Sequence, residues 1–171
     1  MINKNNITPK LLSRNNQKTY GKLIEFILKA KRATYANSEG DSKKILPDGS
    51  KEFFFKDGKY SYRDRYFGSD SFVGEEVIFL NNKAAWAMNY YGHILDKTTN
   101  EKEIYVFLKK ALMQVSKEHP YRGPSEFILC DYKYVMEYSG NLNLFSGSEE
   151  IYLNGRKIYE LYFHGGKVME N

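Results

Sequence analysis

The sequence predicts an α+β fold: a helix followed by about four antiparallel strands, written twice, with the helices on one face of the sheet or sheets and the copies related by a pseudo-two-fold. Three observations predict it. The chain is self-similar at a spacing of 72 to 73 residues. Two short segments carry apolar residues at helical spacing. The remainder is aromatic, alternating and punctuated by hairpin signals, in a chain of 171 residues that is 16% aromatic with 15 Tyr and 11 Phe. Helices followed by consecutive hairpins give the α+β class.

The self-similarity carries most of the reading. FVGEEVIFLNNKAAWAMNYYG (72–92) lies without a gap over FSGSEEIYLNGRKIYELYFHG (145–165). Phe72/Phe145, Gly74/Gly147, Glu76/Glu149, Ile78/Ile151, Leu80/Leu153, Asn81/Asn154 and Gly92/Gly165 are identical. Upstream, YSYRDRYFG (60–68) lies over YKYVMEYSG (132–140), and LIEFILKA (23–30) resembles IYVFLKKA (104–111). The expected organisation is a flexible segment over 1–19 and one domain over 20–171, built from repeats at 20–92 and 99–166.

Element by element, Leu23, Phe26, Ile27 and Ala30 predict a first helix. Ile104, Phe107, Leu108, Ala111, Leu112 and Val115 predict a second, capped by Thr99 or Asn100. Asp57-Gly58 predicts a type I′ hairpin, and Asn81-Asn82 and Asn154-Gly155 predict matching turns. Residues 36–51 form a polar loop longer than its counterpart near 116–125, and a loop lengthened in one copy is a candidate lid.

Composition narrows the function. Cys130, at an expected hairpin turn, is the one cysteine, so no intrachain disulfide or cysteine metal cluster can form. The N-terminus lacks the apolar core of a signal peptide, and no run of 18 apolar residues occurs. A cytoplasmic location without membrane contact is expected. His93, His119 and His164 lack metal-ligand spacing, and no P-loop, GxGxxG, GxSxG or HExxH appears. No metal and no cofactor is therefore expected. Residues 1–51 hold 11 Lys and Arg against 4 Asp and Glu. That basic segment makes nucleic acid or an acidic protein a less favoured alternative partner. A homodimer is also open.

Strand alternation selects candidate site residues. Trp86, Met88 and Tyr90, like Tyr159, Leu161 and Phe163, form apolar faces expected under the helices. The opposite faces carry Asn89, Tyr91, Glu160 and His164 and are expected to wall a ligand cleft. Tyr62 and Asp64 share a tyrosine-rich face, where an Asp would be desolvated unless bonded and could act as a polar anchor or general base. Across a pseudo-two-fold, Glu76 and Glu149 could approach each other as paired carboxylates that bind a cation, share a proton or bind an amine; the more ordinary expectation is that each caps or pairs within its own copy. Arg122, held by Pro120, Gly123 and Pro124, could be presented to an anion.

The ordered set AKRATYAN, YRDRYFG, FVGEE, WAMNYYG, YRGP and YFHGG resembles the bacterial family known as domain of unknown function 5680, over roughly residues 21–168. The resemblance implies a free-standing module, or one fused to an XRE-type helix-turn-helix, with a sensing or effector-binding role. It implies no catalytic residues. The 20 residues before the first helix are too few for a helix-turn-helix, so DNA binding does not carry over. The functional expectation is a small-molecule-binding module using Tyr62, Asp64, Glu76, Asn89, Tyr91, Arg122, Glu160 and His164. The alternatives are a small-substrate enzyme using carboxylate or histidine acid-base chemistry, and a nucleic-acid or protein binder.

Overall fold

The computed structural model describes residues 14–36 and 43–169. Its elements are α1 (Arg14–Ala36), β1 (Lys44–Ile45), β2 (Lys51–Asp57), β3 (Tyr60–Gly68), β4 (Ser71–Leu80), β5 (Lys83–Ile94), α2 (Glu101–Leu112), β6 (Glu126–Leu129), β7 (Tyr132–Asn141), β8 (Leu144–Leu153) and β9 (Arg156–Lys167). The nine strands form one antiparallel sheet in the order β1-β2-β3-β4-β5-β9-β8-β7-β6.

This corrects the expected α+β class. The protein is predominantly β: one continuous sheet dominates, and the described residues contain only two helices, which pack on its aromatic side. The two helices have 23 and 12 residues, whereas nine strands, five of them ten or twelve residues long, make up the rest of the regular structure of the described residues. The free edges of β5 and β9 satisfy each other's backbone groups, so two meanders join into one sheet instead of stacking as two. The join is reciprocal. Tyr90 lies opposite Phe163, while Met88 faces Gly165 and Leu161 faces Gly92.

Glycines allow rings to lie flat on the sheet. A Cβ on Gly74 would sit 2.4 Å from the Tyr90 hydroxyl, and one on Gly147 would sit 2.5 Å from the Phe163 ring. Likewise Phe72 occupies the space over Gly92, and Phe145 that over Gly165, each leaving 2.8 Å to an added Cβ. The glycines that match between the two aromatic blocks are thus seats for rings.

The helices close this aromatic side. Phe26 of α1 stacks on Tyr60 at 5.0 Å and lies 5.9 Å from Phe55. Phe107 of α2 stacks on Tyr132 at 5.0 Å and lies 5.7 Å from Phe127. Burying such aromatic area supplies most of the stabilisation here. Asn100 caps α2, its side chain accepting from the Lys102 N–H at 3.0 Å.

Local expectations fare unevenly. Asn81-Asn82 and Asn154-Gly155 have the positive φ pairs of type I′ turns. The β2–β3 hairpin instead turns at Gly58-Lys59, with positive φ at Gly58 alone, which is the type II′ pattern. Register explains the difference: Asp57 pairs with Tyr60, so Asp57 is the last strand residue. Cys130 sits exposed at the β6–β7 turn with φ 53°. Helix α1 begins at Arg14, upstream of the boundary expected at residue 20, and residues 1–13 lie outside the described residues. So do residues 37–42 of the candidate lid; its remainder forms β1 and a turn, where Leu46 N–H bonds Ser50 O at 2.9 Å.

Candidate functional site

Register places Asp64 opposite Glu76 on the aromatic side of the sheet, and Met136 opposite Glu149 at the corresponding place in the other half. Glu76 and Glu149 are fully buried, and one cation lies between them. The Arg122 guanidinium donates to Glu149 twice, from Nε at 3.1 Å and from Nη2 at 2.7 Å. Its Nη1 lies 3.7 Å from Glu76 Oε1. The phenols of Tyr134 and Tyr159 also donate to Glu149, at 2.7 and 2.9 Å. Burial, reinforced by that carboxylate, pushes both phenols well above the usual tyrosine range. The Gly123 N–H in turn donates to Tyr134 at 3.0 Å, tying the Arg122 loop to the sheet.

Glu76 is further held by Lys31 of α1, whose fully buried ammonium donates to it and, at 2.6 Å, to the Tyr121 carbonyl. Burial lowers the Lys31 pKa, and Glu76 opposes that shift. The two glutamates are therefore linked through a bridged array of charges, with Arg122 as the bridge.

Asp64 accepts from the Tyr90 hydroxyl at 2.6 Å. Burial, then the nearby Glu76 carboxylate, pushes its pKa up to about 7; the Tyr90 bond, Arg122 and Lys31 pull the other way. Asp64, Tyr90 and Arg122 line a cavity of about 340 Å³ between the sheet and both helices. Its walls are Phe53, Tyr66, Phe72, Tyr105, Leu108 and Leu112, with Lys43, Lys51, Lys109 and Glu101 also lining it. The volume lies at the lower end of the range of about 300–1,000 Å³ common for small-molecule sites.

The eight sequence-selected residues separate into two groups. Asp64 and Arg122 line the cavity, Glu76 is packed behind them, and Tyr62 is buried in the core. Asn89, Tyr91, Glu160 and His164 lie on the opposite side of the sheet, where Asn89 faces His164 and Tyr91 faces Tyr162. Asn89, Tyr91 and His164 are exposed; Glu160 is half-buried against Lys157 and lies 3.5 Å from His93. The expected cleft face is thus the open one, and the cavity is on the aromatic side. Helix packing decides this: both helices lie on the aromatic side, and the cavity is enclosed there between α2 and the β2–β3 part of the sheet. Sequence reasoning missed Lys31, which reads as one more helix lysine, and the ring walls, which read as core.

The family model described as a domain of unknown function, DUF5680, matches residues 64–168. The chain belongs to that family. No curated protein and no solved structure matches it. The family match begins at Asp64 and includes Glu76, Tyr90, Arg122 and Glu149. Lys31, Lys43, Lys51 and Phe53 precede it, so part of the cavity wall lies outside the family segment. Among the described residues, no helix is long and apolar enough to cross a membrane.

Proposed function

We propose that this family domain is a small-molecule-binding, sensor-like module whose ligand occupies the aromatic cavity above Asp64. The observation that carries the reading is a nearly buried carboxylate opening into a ring-walled space, held by a phenol and backed by a charged array. Buried charge without a direct ion pair is costly, and binding sites are a common reason for retaining it. The two halves are copies of one unit, supported by reciprocal pairing across β5 and β9 and by bulges at Ile78/Phe79 and Ile151/Tyr152. In this reading, Asp64 marks the half modified for binding, because Met136 occupies the corresponding register position.

Native mass spectrometry of freshly purified protein, compared with its denatured mass, tests the reading. The expected result is an extra mass released on denaturation and absent from Leu108→Trp, which fills the cavity. An adduct retained by that variant refutes the assignment of the cavity. A second reading is favoured by the Asp64 pKa of about 7, which suits a general acid or base at neutral pH. Incubation separates the two: a bound ligand leaves unchanged, whereas a substrate leaves as product.

A further inference from the structure

We propose that the cavity takes an amphoteric molecule, with a cationic nitrogen seated on Asp64 among the aromatic rings and an anionic group held by the cavity lysines. This rests on the small-molecule reading above and names the ligand's chemical class.

Charge pairing points first to the cation. Among the described residues, the buried array contains three carboxylates, Asp64, Glu76 and Glu149, and two cations, Lys31 and Arg122. Arg122 binds Glu149 with two nitrogens, and Lys31 binds Glu76. Asp64 has a neutral phenol as its hydrogen-bond donor among the described residues. It is also the one carboxylate of the three that lines the cavity. An ammonium, amidinium or guanidinium placed there would give the cavity-facing carboxylate an ionic partner. Aromatic faces attract a cation by about 0.5–2 kcal/mol. One face of Tyr90 already holds the Arg122 guanidinium at 5.5 Å and one of Tyr66 the Lys51 ammonium at 5.4 Å, which leaves Phe72 and the remaining faces for a ligand cation.

The lysines point to the anion. Lys43, Lys51 and Lys109 line the same space, with Glu101 as the second acid besides Asp64 and with Arg122 as a fourth cation. Lys51 is fixed at 2.9 Å on the Gly68 carbonyl and lies over the Tyr66 ring. A ligand carrying only a cation would meet repulsion from the lysines, and one carrying only an anion would meet repulsion at Asp64. A molecule with separated opposite charges and a flat apolar middle avoids both.

Titration gives the proposal a sign. Groups facing Asp64 are Lys31 of α1, Glu76 of β4, Tyr90 of β5, Tyr66 of its own strand and Arg122; Lys51 of β2 and Glu101 and Lys109 of α2 share the cavity. A ligand cation binds ionised Asp64, so affinity rises as pH increases towards about 7 and then levels. An anionic or neutral acceptor at Asp64 would show the reverse.

Isothermal calorimetry on the full chain, from pH 5.5 to 8, tests this with 4-(aminomethyl)benzoate, benzylamine and 4-methylbenzoate. The expected result is saturable binding of 4-(aminomethyl)benzoate, at least about tenfold tighter than benzylamine, and about tenfold weaker for each pH unit below 7. No saturable binding of 4-methylbenzoate is expected. Asp64→Asn should remove the preference for the amine. Lys51→Ala with Lys109→Ala, both away from the buried array, should weaken 4-(aminomethyl)benzoate and spare benzylamine. Tighter binding of 4-methylbenzoate, a reversed pH trend, or no binding by any probe overturns the proposal. Binding of 4-methylbenzoate that Leu108→Trp abolishes would overturn the charge assignment yet leave the cavity as a binding site. An adduct retained by Leu108→Trp would overturn both.

Discussion

Asp64→Asn is expected to change stability in a pH-dependent way, because the native protein holds its carboxyl near pH 7 in a form that the unfolded chain does not. Between its ordinary value of 3.8 and about 7, native Asp64 keeps a proton that the unfolded chain releases. Native protein therefore binds more protons, and wild-type stability falls as pH rises through that window. Raising a carboxyl pKa by that amount corresponds to at most about 4 kcal/mol. Between pH 5 and 8 the accessible part is about 2–3 kcal/mol. The asparagine variant lacks this term and keeps an acceptor for the Tyr90 hydroxyl. Its stability relative to wild type should thus improve steadily from pH 5 to 7 and then hold level. Urea unfolding at each pH checks this, followed by fluorescence of Trp86, which is buried and stacked 5.5 Å from Phe145. Parallel stability curves for the two proteins would refute the claim that Asp64 is held protonated by its surroundings.

Other perturbations separate structural from binding roles. Arg122→Ala strands Glu149 and weakens the support of Glu76, so a loss of about 3–5 kcal/mol in urea unfolding is expected, far more than for an exposed arginine. Lys31→Met should cost less than Lys31→Ala, since its stem is enclosed as fully as its charge; thermal unfolding of both ranks them. Gly74→Ala should destabilise by about 1–3 kcal/mol by driving a Cβ into the Tyr90 hydroxyl, and it should also disturb Asp64. Gly21→Ala, at a helical position with open space around it, should be neutral or stabilising by up to about 1 kcal/mol in the same assay.

How much was legible varies by feature. Periodicity and turn residues are local, so the hairpins at Asn81-Asn82 and Asn154-Gly155 and the sorting of Trp86, Met88 and Tyr90 to a buried face followed from short stretches, while the cap of α2 was narrowed to Thr99 or Asn100 and the structure selects Asn100. The II′ turn at Gly58 did not, because Asp57-Gly58 fits two registers that differ by one residue. Asp64 stood out as a carboxylate amid tyrosines, and the structure buries it with a bond from the Tyr90 hydroxyl. Asn89, Tyr91, Glu160 and His164 were grouped correctly on one side by alternation, but alternation does not say which side encloses space.

By itself the sequence determined the strands, the matched glycines and the residues sharing each face, since these depend on the two-residue period of extended backbone and on local turn chemistry. Tertiary structure alone decided that the two meanders share one sheet, because edge pairing between β5 and β9 joins segments far apart in the chain. It also decided which charges meet. Lys31, Glu76, Arg122 and Glu149 come from a helix, two strands and a loop, and only the packed core brings them within bonding reach. There the loss of water makes each charge depend on its neighbours, and Asp64 is the carboxylate of the buried array that opens into the cavity.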